Sequence, residues 1–291
     1  MHQPTPYPDV NTVLMWFLRE IRAILGDYLR GMYLSGSLAL GDFSHERSDI
    51  DFVAVTDIEV ADDRFAALQA MHARFNAGDS PWATEVEAAY IPLDALRRYD
   101  PAHARHPHIQ RGAREALVWD QLASDWVLQR HILREHGVIV AGPHPSMLID
   151  PVSPRDMRRA VGALMEEWWG TMPLDPAPLR RAAIGYQAYA VLTMCRMLYT
   201  LDHGEVVSKP VAARWAQQEL DARWFGLIDR ALAWRKDRQV TPALDVDDTV
   251  ALIQYTGEQC RQQATRHGDF LDETGLDSEV GRATDEQARS C

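Results

Sequence analysis

The run Gly36-Ser37-Leu38-Ala39-Leu40-Gly41, followed after six residues by Ser48-Asp49-Ile50-Asp51, decides how this chain is read. Met32 to Ser35 reads as a short strand and Ser48 to Val55 as a second, with a Gly36-Ser37 turn and a short helix between them. Side chains alternate faces along a strand, so Asp49 and Asp51 point the same way, roughly 6–7 Å apart. Ile50 and Phe52 point into a core behind them. Two carboxylates on one strand face make a platform for two hard, oxygen-seeking cations. Such a pair, held about 4 Å apart, stabilises the attacking and departing oxygens of a displacement at phosphorus. Gly36 lets backbone approach a ligand closely, and Ser37 is placed to cap the short helix. The free N–H groups of that turn and the serine hydroxyl form a cradle for a triphosphate. Gly41 then lets the chain turn towards the second strand. A lone D-x-D is often a solvated strand edge and a lone Gly-Ser an ordinary turn; the strand–turn–helix–strand order at this spacing carries the signal.

Outward from this stretch the pattern stays consistent. From Asn11, read as an N-cap, apolar residues recur at helical spacing: Val13, Leu14, Phe17, Leu18, Ile21, Ile24, Leu25 and Leu29. Arg64 to Phe75 is helical in pattern, and Thr84 to Ile91 reads as a third strand. Strands alternating with helices predict an α/β domain. After Pro92 the pattern turns helical, with Asp120 to His136 the clearest segment. A break at Asp150-Pro151-Val152-Ser153-Pro154 follows, in which Ser153 caps a new helix and Pro154 opens it. From Arg155 to about Gln263 nearly everything reads as amphipathic helix. The expected fold is therefore an α/β (α+β) domain with a small mixed sheet over residues 1–150, then an all-α helical-bundle domain over 151–270. A polar, acidic tail over 271–291 is expected to be disordered.

Bulk properties exclude several classes. A net charge of −12 argues against a nucleic-acid partner and fits a cationic small molecule drawn to a carboxylate-lined cleft. Cys195, Cys260 and Cys291 have no C-x-x-C spacing, so neither a zinc site nor a disulfide framework is expected. No apolar run reaches the ~18–20 residues of a membrane span, and no basic n-region opens the chain. A cytoplasmic monomer without nucleic-acid or membrane partners is expected. His103, His106 and His108 read as a loop together with Pro101 and Pro107 and show no metal-binding periodicity.

The motif G-S-x-x-x-G with S-D-I-D resembles the signature of the polymerase-β-like nucleotidyltransferase superfamily. The wider chain resembles the aminoglycoside adenylyltransferases that modify streptomycin and spectinomycin. The resemblance extends to about residue 235, through Asp125-Trp126-Val127-Leu128, Val191 to Leu201 and Gly204 to Trp215. It implies ATP as co-substrate with two Mg2+ ions. It matches Asp49 and Asp51 to the metal-binding aspartates, and Gly36 and Ser37 to the phosphate-gripping turn. Arg196 and Lys209 match basic residues that reach the nucleotide phosphates from the helical domain. Glu85 matches the glutamate taken as general base. By strand period alone, Glu85 and Glu87 share a face and either can approach the aspartates.

The match thins at positions that choose the acceptor. Arg180 and Arg181 stand where a cationic drug would prefer acid, Tyr186 and Tyr189 replace polar and acidic residues, and Trp168 and Trp169 have no assigned role. The implied function is Mg2+- and ATP-dependent transfer of AMP onto a hydroxyl of an aminoglycoside or aminocyclitol, with spectinomycin favoured over streptomycin. Two other readings keep the same site: a nucleotide-binding regulatory protein, and a nucleotidyltransferase acting on another small molecule or a protein side chain.

Overall fold

A computed structural model describes residues 3–100, 105–110, 117–181, 184–236 and 245–266. The tail over 271–291 and His103 lie outside them. The first half contains α1 (Pro8–Leu25), β1 (Leu29–Leu34), α2 (Gly36–Ala39), β2 (Ile50–Thr56), α3 (Asp62–Asn76), β3 (Val86–Pro92) and α4 (Leu93–Arg97). It continues with β4 (Arg105–Ile109), β5 (Val118–Gln121), α5 (Asp125–His136) and β6 (Val138–Ala141). The helical part comprises α6 (Pro154–Leu164), α7 (Ala177–Arg181), α8 (Ile184–His203), α9 (Lys209–Glu219), α10 (Phe225–Lys236) and α11 (Val246–Arg266).

The sheet is mixed, in the order β5-β4-β3-β2-β1-β6. Only β2 and β3 run parallel, because α3 carries the chain back across the sheet between them; the other described pairs are antiparallel. Strand alternation sorts the side chains between two cores. Ile50, Phe52, Ala54, Ala88 and Tyr90 face α1 and α3. Val53, Val55, Ala89 and Ile91 face the opposite way, onto Trp126 and Leu133 of α5 and Leu96 of α4. Asp51 and Glu87 belong to this second face by parity, at the edge where its apolar residues end. A third core, from Val161 to Cys260, is built within the helices and centres on the buried face of α8.

Several expectations need correction. Asn11 lies inside α1 rather than capping it, since the helix starts at Pro8. Its buried amide instead accepts from the Thr5 N–H at 3.0 Å and donates to the Thr5 carbonyl at 2.8 Å. The stretch after Pro92 is not uniformly helical: β4 and β5 extend the sheet there. Ser153 does cap α6, its hydroxyl accepting from the Asp156 N–H at 3.1 Å. Among the described residues no helix is long and apolar enough to cross a membrane.

His72 of α3 is 1% exposed, packed on Phe17, with Nε2 2.8 Å from the Tyr90 hydroxyl. Burial pulls its imidazole from 6.5 down to about 3. A folded-state pKa below the unfolded one means that the stability contributed by neutral His72 is complete above pH 6.5 and is lost as pH falls towards 3. His72→Gln keeps a partner for Tyr90 but cannot titrate. Denaturant melts between about pH 6.5 and 4.5 should therefore show the wild type losing up to about 1.4 kcal/mol per pH unit more than the variant. Parallel pH profiles would remove His72 from the account.

Candidate active site

The parallel register of β2 and β3 sets Asp51 directly beside Glu87. One oxygen from each of Asp49, Asp51 and Glu87 lies within 4.8 Å of the others, and all three side chains are partly exposed. Hard oxygen donors at this spacing suit Mg2+, which takes one or two carboxylates together with substrate phosphates. Two further observations favour a phosphate-bearing ligand here. A β-carbon on Gly36, whose φ is 53°, would stand 2.0 Å from Oδ2 of Asp51, so the turn can pass this carboxylate only as glycine. The Ser37 hydroxyl is buried and has no hydrogen-bond partner among the described residues. Ser37 lies inside α2, whose N-cap position is Ser35, so it is not the helix cap that its sequence position suggested. Ser35 ties the turn down instead: its N–H donates to the Asp51 carbonyl at 3.1 Å, and its hydroxyl bonds Gln129 of α5 at 3.0 Å.

Arg196 lies on α8, flanked by buried Cys195 and Met197, and Lys209 is the first residue of α9. The Lys209 ammonium stands 4.3 Å from the centre of the Tyr189 ring. Its pKa is pulled down to about 7, mainly by burial and then by the like charges of Arg196 and Arg235; Asp49 and Asp51 act in the opposite direction. The helical part thus presents positive charge towards the carboxylates of the sheet. Arg235 of α10 also clasps the end of the turn that follows α2, donating to the Asp42 carboxylate at 2.8 Å and its carbonyl at 3.0 Å. Both side chains are largely covered, at 15% and 13% exposure, and Arg47 lies 4.0 Å over the ring of Trp234 nearby.

Glu85 is not brought into the carboxylate group. Thr84 has a positive φ of 66° and β3 begins only at Val86, so the period-two reading does not extend back to Glu85. Glu85 instead lines a separate pocket with Asp9, His45, Ser48 and Trp82.

Sequence reasoning missed the neighbours of Glu87. His108 on β4 pairs with Ala89, and its Nε2 lies 3.7 Å from Oε1 of Glu87. Its Nδ1 lies 3.1 Å from Oδ2 of Asp120 on β5. Burial disfavours the charged imidazole, but Glu87 and Asp120 outweigh it and raise the His108 pKa. Burial likewise pushes the Asp125 carboxyl at the start of α5 up to about 7; His108 opposes this, and Glu87 and Asp120 add to it. The signal available in the sequence was the two-residue spacing of His106 and His108, which becomes informative only once β4 is placed beside β3.

Residues 147–258 match the aminoglycoside adenylyltransferase C-terminal domain family. An aminoglycoside (3'')(9) adenylyltransferase of Escherichia coli is 26% identical over 259 residues, covering 84% of this chain and 94% of the relative. The chain is similar to aminoglycoside adenylyltransferases over most of its length and carries a match to their C-terminal domain. It is accordingly a nucleotidyltransferase. A relative from Rhizobium radiobacter is 33% identical over 124 residues, covering 41% of this chain and 43% of its own length. The same fold occurs in a spectinomycin adenyltransferase from Enterococcus faecialis solved with ATP and spectinomycin, at a TM-score of 0.66 and 16% identity. That match covers 85% of this chain and 98% of the other.

In this adenylyltransferase, Gly36 and Gly41 offer a controlled comparison. Both have positive φ, but a β-carbon at Gly41 meets nothing within 4 Å. Alanine at either should cost about 1–2 kcal/mol of stability through backbone strain. Gly36→Ala should also displace Asp51 and weaken magnesium-dependent nucleotide binding at least about tenfold, leaving Gly41→Ala close to wild type. Calorimetric titration checks this; equal affinities in the two variants would refute the close-approach role of Gly36.

Proposed function

We propose that the protein is an ATP- and Mg2+-dependent O-adenylyltransferase that moves AMP onto a hydroxyl of an aminoglycoside or aminocyclitol, spectinomycin in preference to streptomycin. The observation that carries this reading is the group of Asp49, Asp51 and Glu87 with the Lys209 ammonium in electrostatic reach of both aspartates and Arg196 beside Lys209. A nucleotide sensor needs the aspartates and the cations but has no use for a third carboxylate beside them. The names of the curated relatives support the acceptor class, and the solved relative's ATP and spectinomycin support the pairing of substrates. Spectinomycin is preferred because Tyr186 and Tyr189 stack with Trp169 into an aromatic face, whereas a large polycation would call for acidic residues there.

In this reading residues 1–150 carry the chemistry and residues 151–270 close on the nucleotide. Gly36 and Ser37 hold the triphosphate with backbone N–H groups and the free hydroxyl. Asp49 and Asp51 hold two Mg2+ ions, which when bound neutralise the triphosphate and stabilise charge on the departing pyrophosphate. Arg196 and Lys209 bind phosphate oxygens from the opposite side. Glu87, in preference to Glu85, takes the proton of the acceptor hydroxyl. The acceptor oxygen then bonds to the α-phosphorus as the bond to the β-phosphate oxygen breaks, giving the AMP ester and pyrophosphate. Positioning and charge neutralisation supply most of the acceleration.

The base assignment is tested by Glu87→Gln and Glu85→Gln, assayed for pyrophosphate release and AMP adducts with spectinomycin and streptomycin. Glu87→Gln should lower turnover at least about a hundredfold with ATP still bound, and Glu85→Gln should stay within a few-fold of wild type. The reverse pattern would return the role to Glu85. Transfer to neither drug by the wild type would sink the proposed acceptor class.

A further inference from the structure

Glu87, His108 and Asp120 form a row across β3, β4 and β5 on the face of the sheet that carries the carboxylate group. The register explains the row. His108 is paired with Ala89, which shares its face with Glu87 two residues earlier, and Asp120 is paired with His106, two residues before His108. Each ring nitrogen of His108 therefore meets a different carboxylate, Nε2 at 3.7 Å from Glu87 and Nδ1 at 3.1 Å from Asp120. The imidazole side chain is only 13% exposed, whereas Glu87 and Asp120 are 40% and 45% exposed. The rigid member of the row is thus the one in the middle.

This arrangement addresses a problem that the site creates for itself. A glutamate has three rotatable side-chain bonds, and at 40% exposure little packing restrains it. The negative charges of Asp49 and Asp51 lie close by and would swing a free carboxylate away. A general base must nevertheless stand within about 3 Å of the proton it removes. We propose that His108 is a positioning residue for Glu87: its Nε2 side holds Oε1, leaving the second carboxylate oxygen to take the proton of the acceptor hydroxyl, and Asp120 fixes the ring from Nδ1. This rests on the reading of Glu87 as the base. Asp120 stands to His108 as an orienting carboxylate stands to the histidine of a catalytic triad, but here the oriented imidazole touches the base and not the substrate.

Two substitutions separate the nitrogens. The amide of glutamine reaches the position of Nε2, and that of asparagine the position of Nδ1. His108→Gln therefore keeps a donor towards Glu87, and His108→Asn keeps only the side facing Asp120. The experiment measures kcat and KM for magnesium-ATP and for the accepted drug in both variants, in Asp120→Asn, in Glu87→Gln and in the Glu87→Gln, His108→Asn double variant, with a melting temperature for each. His108→Asn should lower kcat between about tenfold and a hundredfold, the size a misplacement near 1 Å carries, with KM for ATP within about twofold of wild type. His108→Gln should recover most of that loss. In the Glu87→Gln background, His108→Asn should have no further effect, because a residue that acts through Glu87 has nothing left to position.

Full kcat in His108→Asn would overturn the proposal, as would the same fractional loss with and without Glu87. If His108→Asn does not fold, Asp120→Asn carries the test: Asp120 is only partly covered, and its loss should lower kcat several-fold in the wild type and not at all beside Glu87→Gln. Normal turnover in Glu87→Gln is a separate result, and it removes the base assignment on which the proposal stands.

Discussion

Three carboxylates within 4.8 Å of one another repel, and the rest of the site can be understood as what holds them there. Two like charges at about 4 Å cost roughly 1 kcal/mol in water and about 4 kcal/mol at an effective dielectric of 20. The sheet meets that cost with backbone. Asp51 and Glu87 sit side by side because β2 and β3 are parallel neighbours, locked by apolar residues buried on both faces. A one-residue slip in that pairing would turn Glu87 into the core and an alanine towards the aspartates. Positive charge from the helices supplies the other restraint. Lys209 lies within electrostatic reach of Asp49 and Asp51 with Arg196 beside it, and Arg235 binds the end of the turn in which Gly36 passes Asp51.

The same constraint links the two halves of the molecule. The carboxylates come from the sheet and the cations from α8, α9 and α10, so neither half presents a balanced site alone. Contacts that join them cluster on the segment between α2 and β2: Asp42 to Arg235 and Arg47 to Trp234. Farther along the interface, the Ser124 hydroxyl bonds Glu167 at 2.7 Å. Breaking one side of a well-covered ion pair such as Asp42–Arg235 leaves a charge without its partner, so these clasps are suited to fixing the spacing between carboxylates and cations.

How much of this was legible in the sequence depends on distance along the chain. Asp49, Asp51, Gly36 and Ser37 lie within sixteen residues, and strand period and turn chemistry suffice to bring them together. The mixed sheet followed by helices was legible for the same reason: long, strongly periodic segments declare themselves. Glu85 and Glu87 could not be separated, because period two assumes an unbroken strand and Thr84 bends the chain just before β3. β4 and β5 were unreadable because Pro101, Pro107 and three histidines mask the alternation that marks a strand. His108 and Asp120 went unnoticed with them. Arg196 is singled out by resemblance, and nothing local in α8 says that it comes beside Lys209.

The measurement that bears most directly on the central claim is transfer by the purified protein from ATP to spectinomycin, with and without Mg2+, read as pyrophosphate release and as the mass of the drug. One AMP added to spectinomycin is expected, with pyrophosphate in equal amount, and neither product once the metal is chelated. Transfer that persists without a divalent cation would contradict the metal-holding role given to Asp49 and Asp51. ATP binding with no adduct on the drug would contradict the acceptor assigned to the site.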